Sequence, residues 1–166
     1  DITQLFDTYQ SIYPEEGDNF PVLSEQLTRG EADITSRKNF IWHVVADGCV
    51  IDPKERKILL IEHKTHGFWG NPGWHIDSED EHPADAARRE VLEETGVRVS
   101  PVLDEQKEPL LLHIDSHIIP ASERKNEPEH WHHAMTFLFL ADSRIPLVTT
   151  LDDGIVNCQW ISITDA

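Results

Sequence analysis

The stretch from Gly73 to Val97 reads GWHIDSEDEHPADAARREVLEETGV, a polar loop running into a strongly patterned segment. Pro83 suits the first turn of a helix, where its missing N–H costs nothing. Asp80, Glu81 and Asp85 complement the positive end of the helix dipole, and Gly96 is placed to end the helix, which is predicted over 83–95. Glu90, Glu93 and Glu94 then stand at i, i+3 and i+4, which puts three carboxylates on one face. Ala84, Ala87 and Val91 form an apolar stripe on a neighbouring arc, and Arg89 lies one turn before Glu93, within reach to hold it. Adjacent carboxylates repel, and a hard divalent cation removes that cost. Such an oxygen-only set suits Mg²⁺ or Mn²⁺ rather than zinc. By charge density alone, a solvated acidic face serves equally well.

Working outward, Ile2, Leu5, Phe6, Tyr9, Ile12 and Tyr13 follow helical spacing, so 2–13 is expected as an amphipathic helix. Pro14 to Asn19 reads as a turn, and Pro21 to Arg29 as a second helix ended by Gly30. The period then changes. Segments 42–51 and 57–63 are apolar and β-branched, joined by Asp52-Pro53-Lys54-Glu55-Arg56 as a hairpin. Further strands are expected over 110–119, 131–141 and 155–163, with 120–129 as a mobile polar loop. The expected class is α+β, a mixed sheet crossed by one strong helix, with 1–36 as a helical extension packed on a domain spanning 37–166.

The 166 residues fit one domain, and 39% hydrophobic residues suffice for a core. A formal charge of −17 excludes a broad nucleic-acid surface and an anionic membrane as partners. A small anionic substrate is compatible only if cations screen it. Cys49 and Cys158 read as buried thiols of a reducing compartment rather than a disulfide. No apolar run approaches the roughly 20 residues of a membrane span, and the N-terminus lacks a signal peptide's regions. A cytoplasmic setting is therefore expected. Because the chain opens at Asp1 and its single Met is Met135, the translation start is expected upstream.

The run Arg89-Glu90-Val91-Leu92-Glu93-Glu94-Thr95-Gly96-Val97 resembles the second half of the Nudix box, R-E-U-x-E-E-x-G-U with U aliphatic. Glu81 precedes Arg89 by the spacing of the box's first Glu, with Asp80 as its competitor. In the first half, His75 occupies the expected Gly position. Aligning Gly73-Trp74 with the usual Gly-Gly leaves one extra loop residue and Trp in place of the second Gly. The resemblance covers about residues 37–163 and implies a Nudix-type α/β/α sandwich that hydrolyses a nucleoside diphosphate linked to another group, with Mg²⁺ or Mn²⁺ as cofactor. By that analogy Glu93 and Glu94 are metal ligands, Glu90 a third ligand or the general base, Gly73 a carbonyl ligand, and Arg89 a positioning residue. Asp80 or Glu81 would bind the metal through water or cap the loop. In many relatives the base lies downstream, which makes Glu127, Glu129, Asp152 and Asp153 candidates.

Five histidines lie after the box: His113, His117, His130, His132 and His133. In a strand His130 and His132 share one face and His133 takes the other. No Cys accompanies them and their spacing matches no known zinc pattern, so lining a substrate pocket is favoured over a zinc site. His43 and His75 are expected in the same pocket, with Trp69 and Trp74 beside the box loop placed to stack a base. Phe68 and Trp131 are further aromatics near these segments, while Trp160 reads as core. The Pro typical of ADP-ribose hydrolases, a Tyr after the box and a coenzyme A signature are absent, which leaves the nucleotide-type diphosphate substrate open. A homodimer is compatible with the resemblance. Two alternatives stand beside the hydrolase: a weakly catalytic nucleotide-binding module, motivated by Trp74, and an isopentenyl-diphosphate-isomerase-like enzyme, which would need a pocket Cys.

Overall fold

The computed structural model describes residues 1–30, 33–63, 69–123, 126–148 and 155–165. Helix α1 (Ile2–Ile12) is capped by the Asp1 carboxylate, which accepts from the Thr3 N–H at 2.9 Å. Residues Pro14–Asn19, expected as a turn, wind into a 3₁₀ helix, and α2 (Pro21–Arg29) ends at Gly30 with φ 63°. That left-handed cap is the backbone conformation glycine adopts most easily. Helix α3 (Pro83–Thr95) starts at Pro83, as its sequence dictates. The His82 ring caps it by accepting from the Ala84 N–H, and Gly96 closes it at φ 72°.

The strands are β1 (Trp42–Asp52), β2 (Lys57–His63), β3 (Trp69–Gly70), β4 (Gly73–His75), β5 (Ser100–Pro101), β6 (Leu111–Ile119), β7 (His130–Leu140) and β8 (Ile155–Ser162). They form one mixed sheet with the path β3-β2-β1-β7-β5, in which β4 also pairs with β1, β6 with β7 and β8 with β2. β1 and β7 run parallel through ten residue pairs, from Trp42–Trp131 to Ile51–Leu140; the other pairings are antiparallel. This is the expected α+β class, a mixed sheet crossed by one strong helix, with helices at the N-terminus. The short strands β3, β4 and β5 carry too few residues to show a period. The 120–129 loop is pinched by a bridge between Ser122 and Glu127.

Strand alternation gives the sheet two different faces. Trp42, Val44, Ala46 and Val50 of β1 join a core with Ile2, Phe6, Tyr9 and Leu23 of the first two helices and Ala84, Ala87 and Val91 of α3. Gly48 marks the closest approach: a Cβ there would lie 2.8 Å from Val91 Cγ2 and 3.1 Å from the Phe139 ring. The N-terminal helices are tied to the sheet by a polar bond too. Buried Gln26 Oε1 lies 2.8 Å from His133 Nε2, and the Ser116 hydroxyl lies 2.7 Å from His133 Nδ1. The opposite face carries His43, Asp47 and Cys49 from β1, with His132 and Thr136 in register beside His43 and Asp47.

Candidate active site

Gly73 fixes the junction between loop and helix. It pairs with Asp47 across β4 and β1 at φ 141°, and a Cβ would stand 2.4 Å from Asp47 Cα and 2.5 Å from the Ala46 carbonyl oxygen. Only glycine fits there. Its N–H donates to Glu94 Oε2 at 2.9 Å, so the buried Glu94 carboxylate is locked to the loop. Trp74 is absorbed into regular pairing opposite Ala46 and has no positive φ, so it imposes no backbone strain. The structural motive for a binding-only module thereby falls away.

Arg89 is the hub of the acidic cluster. Its Nε and Nη2 donate to the two Asp80 oxygens at 3.3 and 2.8 Å, and Nη2 also reaches the His75 carbonyl at 3.1 Å. Nη1 donates to Glu90 Oε1 at 2.7 Å and Glu93 Oε2 at 3.3 Å. One guanidinium thus spans the box loop and two helix carboxylates, a fork that lysine lacks. Of the two adjacent acids, Asp80 meets Arg89 and Glu81 is exposed. Burial alone would raise the Asp80 carboxyl, but the Arg89 fork, the Asp77 N–H and the Arg89 charge outweigh it and hold the pKa below its usual value. Glu90 shifts the other way: burial raises its pKa and the charge of Glu93 adds to this, against the pull of Arg89.

Glu90, Glu93 and Glu94 therefore share a helix face as their spacing predicts, with Glu94 buried, Glu90 half-buried and Glu93 exposed. Their all-oxygen chemistry, with Glu94 already anchored to the loop backbone, fits a hard divalent cation. Asp47 belongs to no motif, yet it is half-buried on the opposite face of the sheet from the core. Burial pushes its carboxyl up, opposed by hydrogen bonds from Thr136 and from Asn71 Nδ2, the latter at 3.0 Å. The signal available in the sequence was only its alternation with His43 along β1.

Trp74, His75 and His132 do come together: the Trp74 ring lies 5.5 Å from His75 and 5.4 Å from His132. His43 joins them, 5.5 Å from His75 and 4.4 Å from His132. Trp69 stands on β3 opposite Glu62. His130 and His132 share a face, with their Nε2 atoms 3.1 Å apart, and His133 turns to the helical side as alternation requires. Burial and the neighbouring imidazoles push His132 down to about 2, and burial lowers His43, so both are neutral. His113 lies on the exposed surface of β6. Of the downstream base candidates, Glu127 sits in the loop bridge and contributes its charge to His43, and Glu129 is exposed. Asp152 and Asp153 lie outside the described residues, as does Phe68. Cys49 is half-buried and burial raises its thiol pKa, which disfavours the isomerase alternative.

A NUDIX domain family model matches residues 42–166. Among solved structures, the chain is similar to a NUDIX hydrolase from Nitrosomonas europaea, at 26% identity and a TM-score of 0.51, over 74% of this chain and 73% of that one. It shares the fold of a NUDIX-family hydrolase from Clostridium perfringens, at 22% identity and a TM-score of 0.55, over 74% and 83% of the two chains. It also shares the fold of an Ap4A hydrolase from C. elegans, at 16% identity and a TM-score of 0.51, over 74% and 81%. Comparison with curated proteins gives no match. The family model spans the sheet, the Gly73 loop and the glutamate helix together, and the chain belongs to the Nudix family.

Proposed function

We propose that this Nudix pyrophosphohydrolase cleaves the diphosphate of a nucleotide derivative with Mg²⁺ or Mn²⁺ held by Glu93, Glu94 and the Gly73 carbonyl. The observation that carries the reading is the bond from Gly73 N–H to the buried Glu94 carboxylate, with Arg89 gathering Glu90 and Glu93 on the same helix face. When bound, such a cation supplies Lewis-acid polarisation and neutralises the diphosphate that a chain of charge −17 would otherwise repel. Glu90 is the base for the attacking water, half-buried on the same helix face with one oxygen held by Arg89. Arg89 keeps Glu90 ionised while it tethers the loop through Asp80 and the His75 carbonyl.

On the substrate side, Trp74 offers a ring face for a base, and His75 and His132 offer hydrogen bonds to substrate oxygens. Trp69 extends this aromatic surface from β3. No described helix is long and apolar enough to cross a membrane and the two cysteines form no disulfide, which supports a cytoplasmic setting within the same reading. The test is product release from a panel of nucleoside diphosphate derivatives with Mg²⁺, Mn²⁺ or chelator. The proposal expects cation-dependent cleavage of at least one class; nucleotide binding without cleavage across the panel would overturn it.

A further inference from the structure

Among the described residues, the metal-ligating side chains that converge most tightly are three imidazoles rather than the helix carboxylates. One ring nitrogen each from His43, His130 and His132 lies within 4.8 Å of the others, and all three residues are at most 5% exposed. They come from β1 and β7, the parallel pair at the centre of the sheet, where His43 is in register with His132.

Their outer hydrogen bonds orient them as ligands. His43 Nδ1 lies 3.1 Å from the Asn39 carbonyl and His130 Nδ1 lies 2.8 Å from the Pro128 carbonyl. A carbonyl only accepts, so each Nδ1 carries the proton and each Nε2 presents a bare lone pair. Backbone carbonyls fix metal-binding imidazoles in this way. His43 Nε2 is buried with no hydrogen-bond partner. A buried nitrogen left without a partner costs free energy that a bound cation would recover. Ligand nitrogens of a tetrahedral Zn²⁺ stand about 3.3 Å apart, from bonds of about 2.0–2.1 Å. The 3.1 Å separation of His130 Nε2 and His132 Nε2 is already close to this.

We propose that His43, His130 and His132 bind a borderline transition-metal ion, Zn²⁺ by preference, at a site separate from the carboxylate helix. Three imidazole nitrogens suit zinc-class ions and not Mg²⁺. The ion fastens β1 to β7. The motif spacing conceals this site, because His43 is supplied by a strand far upstream of the other two. The ion site shares His132 with the proposed substrate pocket, but binding of the ion does not require the pyrophosphatase reading.

The test uses the full chain without a histidine tag, with excess Mg²⁺ to saturate the carboxylates, titrated with Zn²⁺ and separately with Co²⁺. The expected result is one equivalent of Zn²⁺ bound at about micromolar affinity or tighter, with strong visible absorption from Co²⁺ in a four-coordinate nitrogen site. His43→Gln and His132→Gln, checked for folding by circular dichroism, should each weaken Zn²⁺ binding at least about 100-fold. His113→Ala and Glu94→Gln should retain it. No uptake by the wild type, the weak Co²⁺ spectrum of octahedral oxygen ligation, or loss of binding in Glu94→Gln would each overturn the proposal. Should both histidine variants fail to fold, the wild-type Co²⁺ spectrum alone decides between strong support and rejection.

Discussion

Replacing Gly73 by Ala adds a single carbon where the backbone has no room. The new Cβ would stand 2.4 Å from Asp47 Cα, 2.5 Å from the Ala46 oxygen and 2.7 Å from Asp47 Cβ, at φ 141°. Two of those neighbours are main-chain atoms of β1, the strand at the centre of the sheet, so they cannot rotate away as a side chain would. Holding an alanine in that conformation costs about 1–3 kcal/mol. If β4 instead parts from β1, Gly73 N–H loses Glu94, a bond to a charged group worth about 1.5–3 kcal/mol. Either route destabilises by about 1–3 kcal/mol, or roughly 3–10 °C in Tm for a chain of this size. Urea unfolding followed by tryptophan fluorescence measures it. Gly17→Ala is the control, because its Cβ would meet nothing closer than Gln10 Nε2 at 4.0 Å. A Gly73→Ala protein within about 1 kcal/mol of wild type, the range of an ordinary substitution, would refute the close-approach argument.

Other perturbations probe the rest of the frame. Gly48→Val should push α3 off the sheet through Val91 and Phe139, at a cost of about 1–3 kcal/mol. Turnover should fall with it, because α3 carries the glutamates proposed as ligands; unchanged rates would show that the helix position is not critical. Gln26→Ala leaves His133 Nε2 buried without its partner and should cost about 1–3 kcal/mol by the same urea assay, whereas no loss would mean that the N-terminal helices do not depend on that bond. Asp80→Asn should destabilise at neutral pH, with the difference shrinking in acid. The Asp80 pKa is depressed in the folded state, so its contribution is present above its ordinary 3.8 and fades as pH falls through the lower folded value. Parallel unfolding curves for the two proteins at neutral and acid pH measure this, and a difference that grew in acid would contradict the ion pair with Arg89.

Where a periodicity ran for several turns or residues, the sequence was legible. α1, α2 and α3 and the five long strands lie where their apolar spacing, Pro83, Gly30 and Gly96 put them. The glutamate face was legible too, because helical spacing converts i, i+3 and i+4 directly into proximity. What escaped was set by tertiary pairing. β4 exists only because Gly73–His75 finds β1, and the pairing that absorbs Trp74 has no local signature. Asp80 and Glu81 are adjacent acids, and only the reach of Arg89 selects Asp80. Asp47 and His43 carry no motif; the register of β1 with β7 brings them beside Thr136 and His132.

The central claim is that the Glu94 carboxylate, locked to Gly73, holds the cation that hydrolysis requires. Its most direct test is the rate of diphosphate cleavage as Mg²⁺ or Mn²⁺ is titrated into wild type and Glu94→Gln. Glutamine keeps an acceptor oxygen for the Gly73 N–H while removing the charge, so the fold should stand and the unfolding curve should hardly move. The account predicts a cation-dependent rate in wild type that falls by about 100-fold or more in the variant. A Glu94→Gln enzyme that retained the wild-type rate and cation dependence would contradict it.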